Sequence, residues 1–253
     1  MMDEIDKIDK LNELNKINKI DRMDEKDSFS VERKLGRPIF IVSVLLLLLE
    51  CWKQWYLYHV YFGGGYDVWY LPFQLCSTPM YLGTFYGWLL RPENAGYGSL
   101  RKAILTYLQD FGLLGGIAAL IVHDGFTHPD FPLLTLHGYV WHILMVLMAL
   151  YIAVHHMAAQ RIKTFPIVLP LFAIGCILAE ILNVIFHPYG DCDMFYISPY
   201  HLSSQIVFHE LDAVIGRPLG IIIYLMTVVL GAFLIHTGIC LLQQGRGGLE
   251  ELP

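Results

Sequence analysis

The chain has 253 residues, 55% of them hydrophobic and only 16% charged, with a mean hydropathy of +0.49 and a formal net charge of −6. A soluble domain carries roughly 25% charged residues, so this composition excludes an ordinary soluble domain. No basic stripe or reader motif is present, which excludes a nucleic-acid partner.

Residues 1–37 form a charged tail with an internal repeat. Ile5, Ile8, Leu11, Leu14, Ile17, Ile20 and Met23 recur every third residue, each followed by Asp or Asn. On an α-helix each such step turns the apolar position back by about 60°, so the stripe winds round and forms no stable face. The repeat reads as low complexity, loosely helical or disordered, and heptad spacing for a coiled coil is absent. The first apolar run starts near Pro38 and continues to full spanning length, so it reads as a membrane span and not a signal peptide.

Apolar runs of spanning length, about 20 residues, recur from there. The expected spans lie near 38–61, 69–90, 102–122, 134–155, 165–187 and 217–242, with a shorter amphipathic segment at 197–211. Arg33, Lys34 and Arg37 precede the first span, Arg91, Arg101 and Lys102 follow the second, Arg161 and Lys163 follow the fourth, and Arg246 follows the last. Residues 62–68 and 123–133 contain no Lys or Arg, and the connection after the fifth span is acidic until Arg217. Basic residues mark cytoplasmic connections. The expectation is an all-α polytopic membrane protein with six transmembrane helices and both termini cytoplasmic. Its parts are a cytoplasmic tail at 1–37, a six-helix membrane domain at 38–242 and a short cytoplasmic tail at 243–253.

Polar groups inside a membrane are costly, which makes them functional candidates. Cys76 lies in Leu71-Pro72-Phe73-Gln74-Leu75-Cys76-Ser77-Thr78-Pro79. On a continuous helix it would sit about seven residues, or roughly 10 Å, below the outer end of the second span. His137 and His142 lie in Leu136-His137-Gly138-Tyr139-Val140-Trp141-His142, at the outer end of the fourth span. Glu50 and Lys53 in the first span are three apart, as are Glu180 and Asn183 in the fifth, so each pair shares a face. Asp110 lies deeper, toward the cytoplasmic side.

Each of these has a bland reading. A free cysteine is a good small apolar core residue, Glu50 and Lys53 can pair with each other, and Glu180 and Asn183 can join helices. Gly112-x-x-x-Gly116 in the third span is a close-packing signal. Trp52, Trp55, Tyr56, Tyr58, Tyr61, Trp69 and Tyr70 form an aromatic belt at the outer interface.

The chemistry that fits is nucleophile plus base. A histidine can take the proton of Cys76, and the thiolate can accept an acyl group. Gln74, Ser77 or Thr78 can hydrogen-bond a developing oxyanion. The candidate catalytic pair is Cys76 with His137, and Gln74, His142, Glu180 and Asn183 are candidate substrate-positioning groups. Intramembrane metal ligation by His137, His142, Glu180 and Asp110 is disfavoured, because His137 and His142 are five apart and splay. The five cysteines include no Cys-x-x-Cys pair, so neither a zinc site nor a disulfide framework is read, and no cofactor is implied.

Three stretches, Leu71-Pro72-Phe73-Gln74-Leu75-Cys76, Phe131-Pro132 with Leu136-His137-Gly138, and Leu182-Asn183 followed by Asp193-Met194-Phe195-Tyr196-Ile197-Ser198-Pro199, resemble the YwaF-like bacterial membrane proteins related to animal transmembrane protein 164. The resemblance covers roughly residues 40–240. It implies a six-helix membrane protein, distantly like the androgen-induced hydrolases of lipid esters. The animal relatives look like phospholipid acyltransferases using a cysteine and a histidine. The histidine carries over to His137. The animal cysteine directly follows the proline, where this chain has Phe73, and Cys76 comes three residues later.

The expected function is a lipid-acyl transferase or lipid-ester hydrolase working in the outer half of the bilayer, with membrane lipids as partners and fatty acyl groups as substrate. The alternative is a non-enzymatic transporter or binding protein for a small solute or lipid. Broken helices and internal repeats would favour it, and no convincing repeat of one half in the other is seen.

Overall fold

The computed structural model describes the backbone of residues 2–250 and the side chains of residues 27–244. The packing expected of the three-residue repeat and of the last residues therefore lies outside the described side chains. Seven helices follow in order: α1 Met2–Tyr56, α2 Thr78–Leu89, α3 Gly98–Ile121, α4 Pro132–Val154, α5 Leu169–Phe186, α6 Ile206–Ile215 and α7 Arg217–Glu250. There is no strand among the described residues.

Prolines set several of these starts. Pro79, Pro132, Pro170 and Pro218 each lie in the first turn of a helix, where the missing N–H costs nothing and the fixed φ is already helical. Gly216 precedes α7 with φ +85, a value natural only to glycine. It separates the short amphipathic α6 from the last long helix. The expected segment at 197–211 is realised as α6, shifted toward the C-terminus.

Five helical segments are long and apolar enough to cross a membrane: Asp27–Tyr61, Pro92–Ile121, Pro132–Val154, Ile162–Tyr189 and Arg217–Gln244. The expected span at 69–90 differs. Only Thr78–Leu89 is α-helical there, 12 residues, or about 18 Å against a hydrocarbon core of about 30 Å. Residues before it form two short 3₁₀ turns, Val68–Tyr70 and Leu75–Ser77, joined by non-helical backbone with a tight turn from the Phe73 N–H to the Leu71 carbonyl. The depth expected for Cys76 from a continuous helix is therefore corrected. Pro72 explains the break, since proline disfavours helix in the residue before it and Leu71 is held at φ −52, ψ 133; Pro79 marks where α2 begins.

Small residues bring the helices together. α1 and α2 run antiparallel, with Gly36 against Tyr86, Phe40 against Gly87 and Ser43 against Gly83; a Cβ at any of these glycines would collide. α3 and α4 pack the same way: a Cβ on Gly116 would sit 2.7 Å from Val146 and 3.2 Å from the His142 carbonyl. Gly116 thus does what its spacing implied. α3 is the central helix, with most residues from Arg101 to Gly112 buried.

The connections sort into two ends. At one, Tyr61 and Tyr70 meet His128, Val68 meets Gly190, and Trp69 meets Tyr196. At the other, Arg101 pairs with Glu32, Lys102 donates to the Met157 carbonyl at 2.8 Å, and Gln243 donates to the Ala153 carbonyl. The basic connections share the second end and the basic-free connections the first. The first end corresponds to the outer side expected from the loop charges.

Candidate functional site

The break before α2 is where the fold concentrates its polar chemistry. Non-helical backbone at membrane depth must find partners inside the protein, and here side chains supply them. Gln54 Nε2 donates to the Tyr70 carbonyl at 2.8 Å, Tyr81 Oη to Pro72 at 2.8 Å, Trp141 Nε1 to Cys76 at 3.0 Å and Thr78 Oγ1 to Leu75 at 2.8 Å. Gln74 bridges outward, donating to the Asp193 carbonyl at 2.9 Å and accepting from the Phe195 N–H at 3.0 Å.

Trp141 links the two expected catalytic groups. Its buried indole holds the Cys76 carbonyl, and its ring lies 5.5 Å from that of His137. Cys76 is half-buried against Leu46, Met80, Trp141 and Met145. His137 sits between Trp141 and Trp52, whose ring is 5.8 Å away and near parallel. Its Nε2 is buried without a hydrogen-bond partner. The thiol–imidazole contact expected from the sequence is not formed at that nitrogen. Both groups instead flank one indole.

Glu50 and Lys53 complete this side. Lys53 Nζ lies 2.7 Å from Glu50 Oε1, which also accepts from Gln54 Nε2 at 2.7 Å. Both charges lie within electrostatic reach of Cys76 and of His137. The bland reading of the pair is thus realised, and the pair also borders the candidate site. His142 is buried, bonds the Gly138 carbonyl through Nδ1 at 2.8 Å, and stacks on Phe126 at 4.9 Å.

The other expected positioning groups go elsewhere. Asn183 is buried and ties down the outer connection, accepting from the Met194 N–H at 2.6 Å and donating to the Met194 carbonyl at 3.2 Å. Gln74 grips the same turn from the opposite side. That grip holds Phe195 and Tyr196 at positive φ, 56 and 57, a conformation costly for bulky side chains. Glu180 is half-buried on α5 and joins none of these contacts.

Two buried clusters were not legible from the sequence. Arg217 donates to Asp212 Oδ2 at 2.7 Å, to the Ser198 carbonyl at 2.7 Å and to the Tyr196 carbonyl at 3.0 Å, and lies 3.5 Å from Asp193 Oδ1. Arg217 and Asp212 appeared only as loop charges, and Asp193, Tyr196 and Ser198 within a stretch that carries the family resemblance. Burial pushes the Asp193 carboxyl up, against the pull of the Ser198 N–H and Arg217. At the other end Asp110 Oδ2 lies 2.9 Å from His236 Nδ1, and His236 Nε2 lies 3.2 Å from the Arg161 carbonyl and 3.7 Å from Cys240 Sγ. The four-residue spacing of His236 and Cys240 on an apolar helix was the available signal. Among the described residues no group of three or more His, Cys, Asp or Glu side chains is placed to hold a metal ion.

Neither a curated protein nor a solved structure matches the chain. The model of the TMEM164 family matches residues 22–237, which include all of the elements that build this site. With its several apolar helices of spanning length and this match over most of its sequence, the chain is a multi-pass membrane protein that belongs to the TMEM164 family.

Proposed function

We propose that the protein is a lipid-acyl transferase, or a lipid-ester hydrolase, whose nucleophile is Cys76 and whose base is His137. One observation carries this reading: a partnerless imidazole nitrogen lies beside a buried tryptophan whose indole N–H holds the backbone carbonyl of Cys76, at a break in a membrane helix. In the proposed reaction His137 Nε2 takes the Cys76 proton, and the thiolate attacks the acyl carbonyl of a membrane lipid. The C–O bond to the lipid alcohol breaks, the alcohol takes the proton from His137, and the acyl group rests on sulfur as a thioester. A second alcohol, or water, then takes the acyl group by the reverse path. Catalytic contacts commonly tighten only with substrate bound, which accommodates the open pair.

In the same reading the chain crosses the membrane six times, with Thr78–Leu89 and the broken segment before it as the second crossing. The charge asymmetry of the connections supports cytoplasmic termini and a site in the outer half of the cell membrane. The division at residues 37 and 242 belongs to this proposal. Gln74 and Asn183 then shape the site through the outer turn, and His142 borders it, while Glu180 stands apart on α5.

The test is acyl-probe labelling and lipid profiling of membranes carrying the wild type, Cys76→Ala or His137→Ala. Loss of labelling with Cys76→Ala, and strong slowing with His137→Ala, are the expected results. Unchanged labelling and lipids in both would sink the proposal. The broken helix before α2 favours a second reading, a non-enzymatic carrier of a small solute or lipid. Facilitated movement of a lipid probe across vesicles, retained in Cys76→Ala, would support it.

A further inference from the structure

Between α1 and the break lies a short outer segment, residues 62–67, whose two ends are fixed and whose glycine middle is tied to α1 by one backbone bond, from the Gly64 N–H to the Tyr58 carbonyl at 2.7 Å. At one end α1 closes in a π-turn, Leu57–Tyr61, where Tyr61 packs on Phe131 at 4.7 Å and on His128 at 5.4 Å. At the other end Val68 is buried against Ala179, Met194 and Phe195. The middle is Gly63-Gly64-Gly65. Gly63 and Gly64 have φ +60 and +101, and nothing lies within 4 Å of a Cβ built on either. These glycines are required by the backbone conformation and not by packing.

The tip of this segment is Tyr66, 41% exposed. Its hydroxyl donates to Gln54 Oε1 at 2.6 Å. The Gln54 amide nitrogen in turn donates to Glu50, the buried partner of Lys53. Beyond the glycines, one exposed side-chain hydrogen bond joins the tip to Gln54 and through it to the charged side of the candidate site. Burial, and after it the charge of Glu50, pushes the Tyr66 hydroxyl up to about 12, so at neutral pH it remains a donor. Gln54 keeps its second bond, to the Tyr70 carbonyl, and so stays in position as the receiving half of the latch when Tyr66 leaves.

We propose that residues 62–67 are a flap, hinged at Gly63–Gly65 and latched by Tyr66 on Gln54, that opens the Glu50–Lys53 side of the site to the outer surface. The function of the flap, admitting the polar end of the acyl acceptor and excluding water otherwise, rests on the acyl-transfer reading above. The hinge and latch do not.

The test uses the full chain in phospholipid nanodiscs with a water-soluble amine-acylating reagent. Labelling of Lys53 and of Lys163, an exposed lysine at the opposite end, is followed by mass spectrometry, with amide hydrogen exchange over residues 62–67. Tyr66→Phe removes only the latch hydroxyl, from an exposed side chain. Gly64→Ala strains only the closed hinge. Tyr66→Phe is expected to raise the Lys53 labelling rate about two- to tenfold, the population shift from losing one net hydrogen bond, Gly64→Ala to raise it through strain at positive φ, and both to speed exchange in residues 62–67, with Lys163 unchanged. Equal Lys53 labelling in the wild type and both variants overturns the flap, as does a parallel rise at Lys163, which would mark general loosening. Labelling needs no turnover. A rise confined to Lys53 in a protein that transfers no acyl group upholds the flap and defeats only the acyl-transfer reading.

Discussion

Trp141→Phe separates the two jobs of the residue at the centre of the site. The ring is 3% exposed and packs with Leu46, Met80 and Met145, and phenylalanine retains most of that apolar contact. What it cannot retain is the Nε1 donor 3.0 Å from the Cys76 carbonyl. A buried carbonyl that loses its partner costs about 1–3 kcal/mol. With roughly 2–4 °C of melting temperature per kcal/mol for a domain of this size, the expected drop is roughly 2–12 °C, measured by tryptophan-independent thermal unfolding in detergent. The chemistry should suffer more than the fold. A freed Cys76 backbone lets the thiol drift, and a displacement of about 1 Å can cost roughly 100-fold in rate. Acyl-probe labelling of Cys76 should therefore fall well beyond what the unfolded fraction explains. An unchanged melting midpoint together with unchanged labelling would refute the claim that this hydrogen bond holds the break in place.

Gln74→Leu and Asn183→Leu should each strip polar anchors from the outer turn, destabilising the protein by about 1–3 kcal/mol; in limited proteolysis, cleavage should appear first within residues 190–205. Arg217→Leu leaves Asp193 and Asp212 buried without their cation, and removing one partner from such a cluster costs about 3–5 kcal/mol, so this variant should yield far less folded protein than Gln74→Leu, as judged by size-exclusion recovery. The flap latch should also carry a pH signature. Burial raises the Tyr66 hydroxyl above the ordinary phenol value of 10 to about 12, so the protonated form is favoured in the folded protein. The latch is fully present below about pH 10 and is lost as pH rises through about 12. The ratio of Lys53 to Lys163 labelling, which cancels the shared deprotonation of lysine amines, should rise along that alkaline limb in the wild type and stay flat in Tyr66→Phe.

Much of the fold was legible because a membrane imposes few solutions. Apolar runs of spanning length had to be helices, since only a helix satisfies its own backbone in lipid. The prolines marked where those helices begin, and Gly116 announced the tight approach of α3 to α4. Cys76, His137, Glu50 and Lys53 were also marked by composition alone, being polar in apolar surroundings, and the fold does gather them on one side. The sequence could not indicate where the helix before α2 stops. Two prolines permit either a kink or a break, and the break stands because Gln54, Tyr81 and Trp141, the last 65 residues away, satisfy the freed carbonyls of Tyr70, Pro72 and Cys76. For the same reason Gln74 and Asn183, plausible as substrate ligands by position, are occupied as anchors of a turn more than a hundred residues from Gln74. Asp110 with His236 and Arg217 with its two aspartates show the general rule. Which groups are costly to bury can be read from residue type alone, but only the packing of helices far apart in the chain decides which partner makes each burial tolerable.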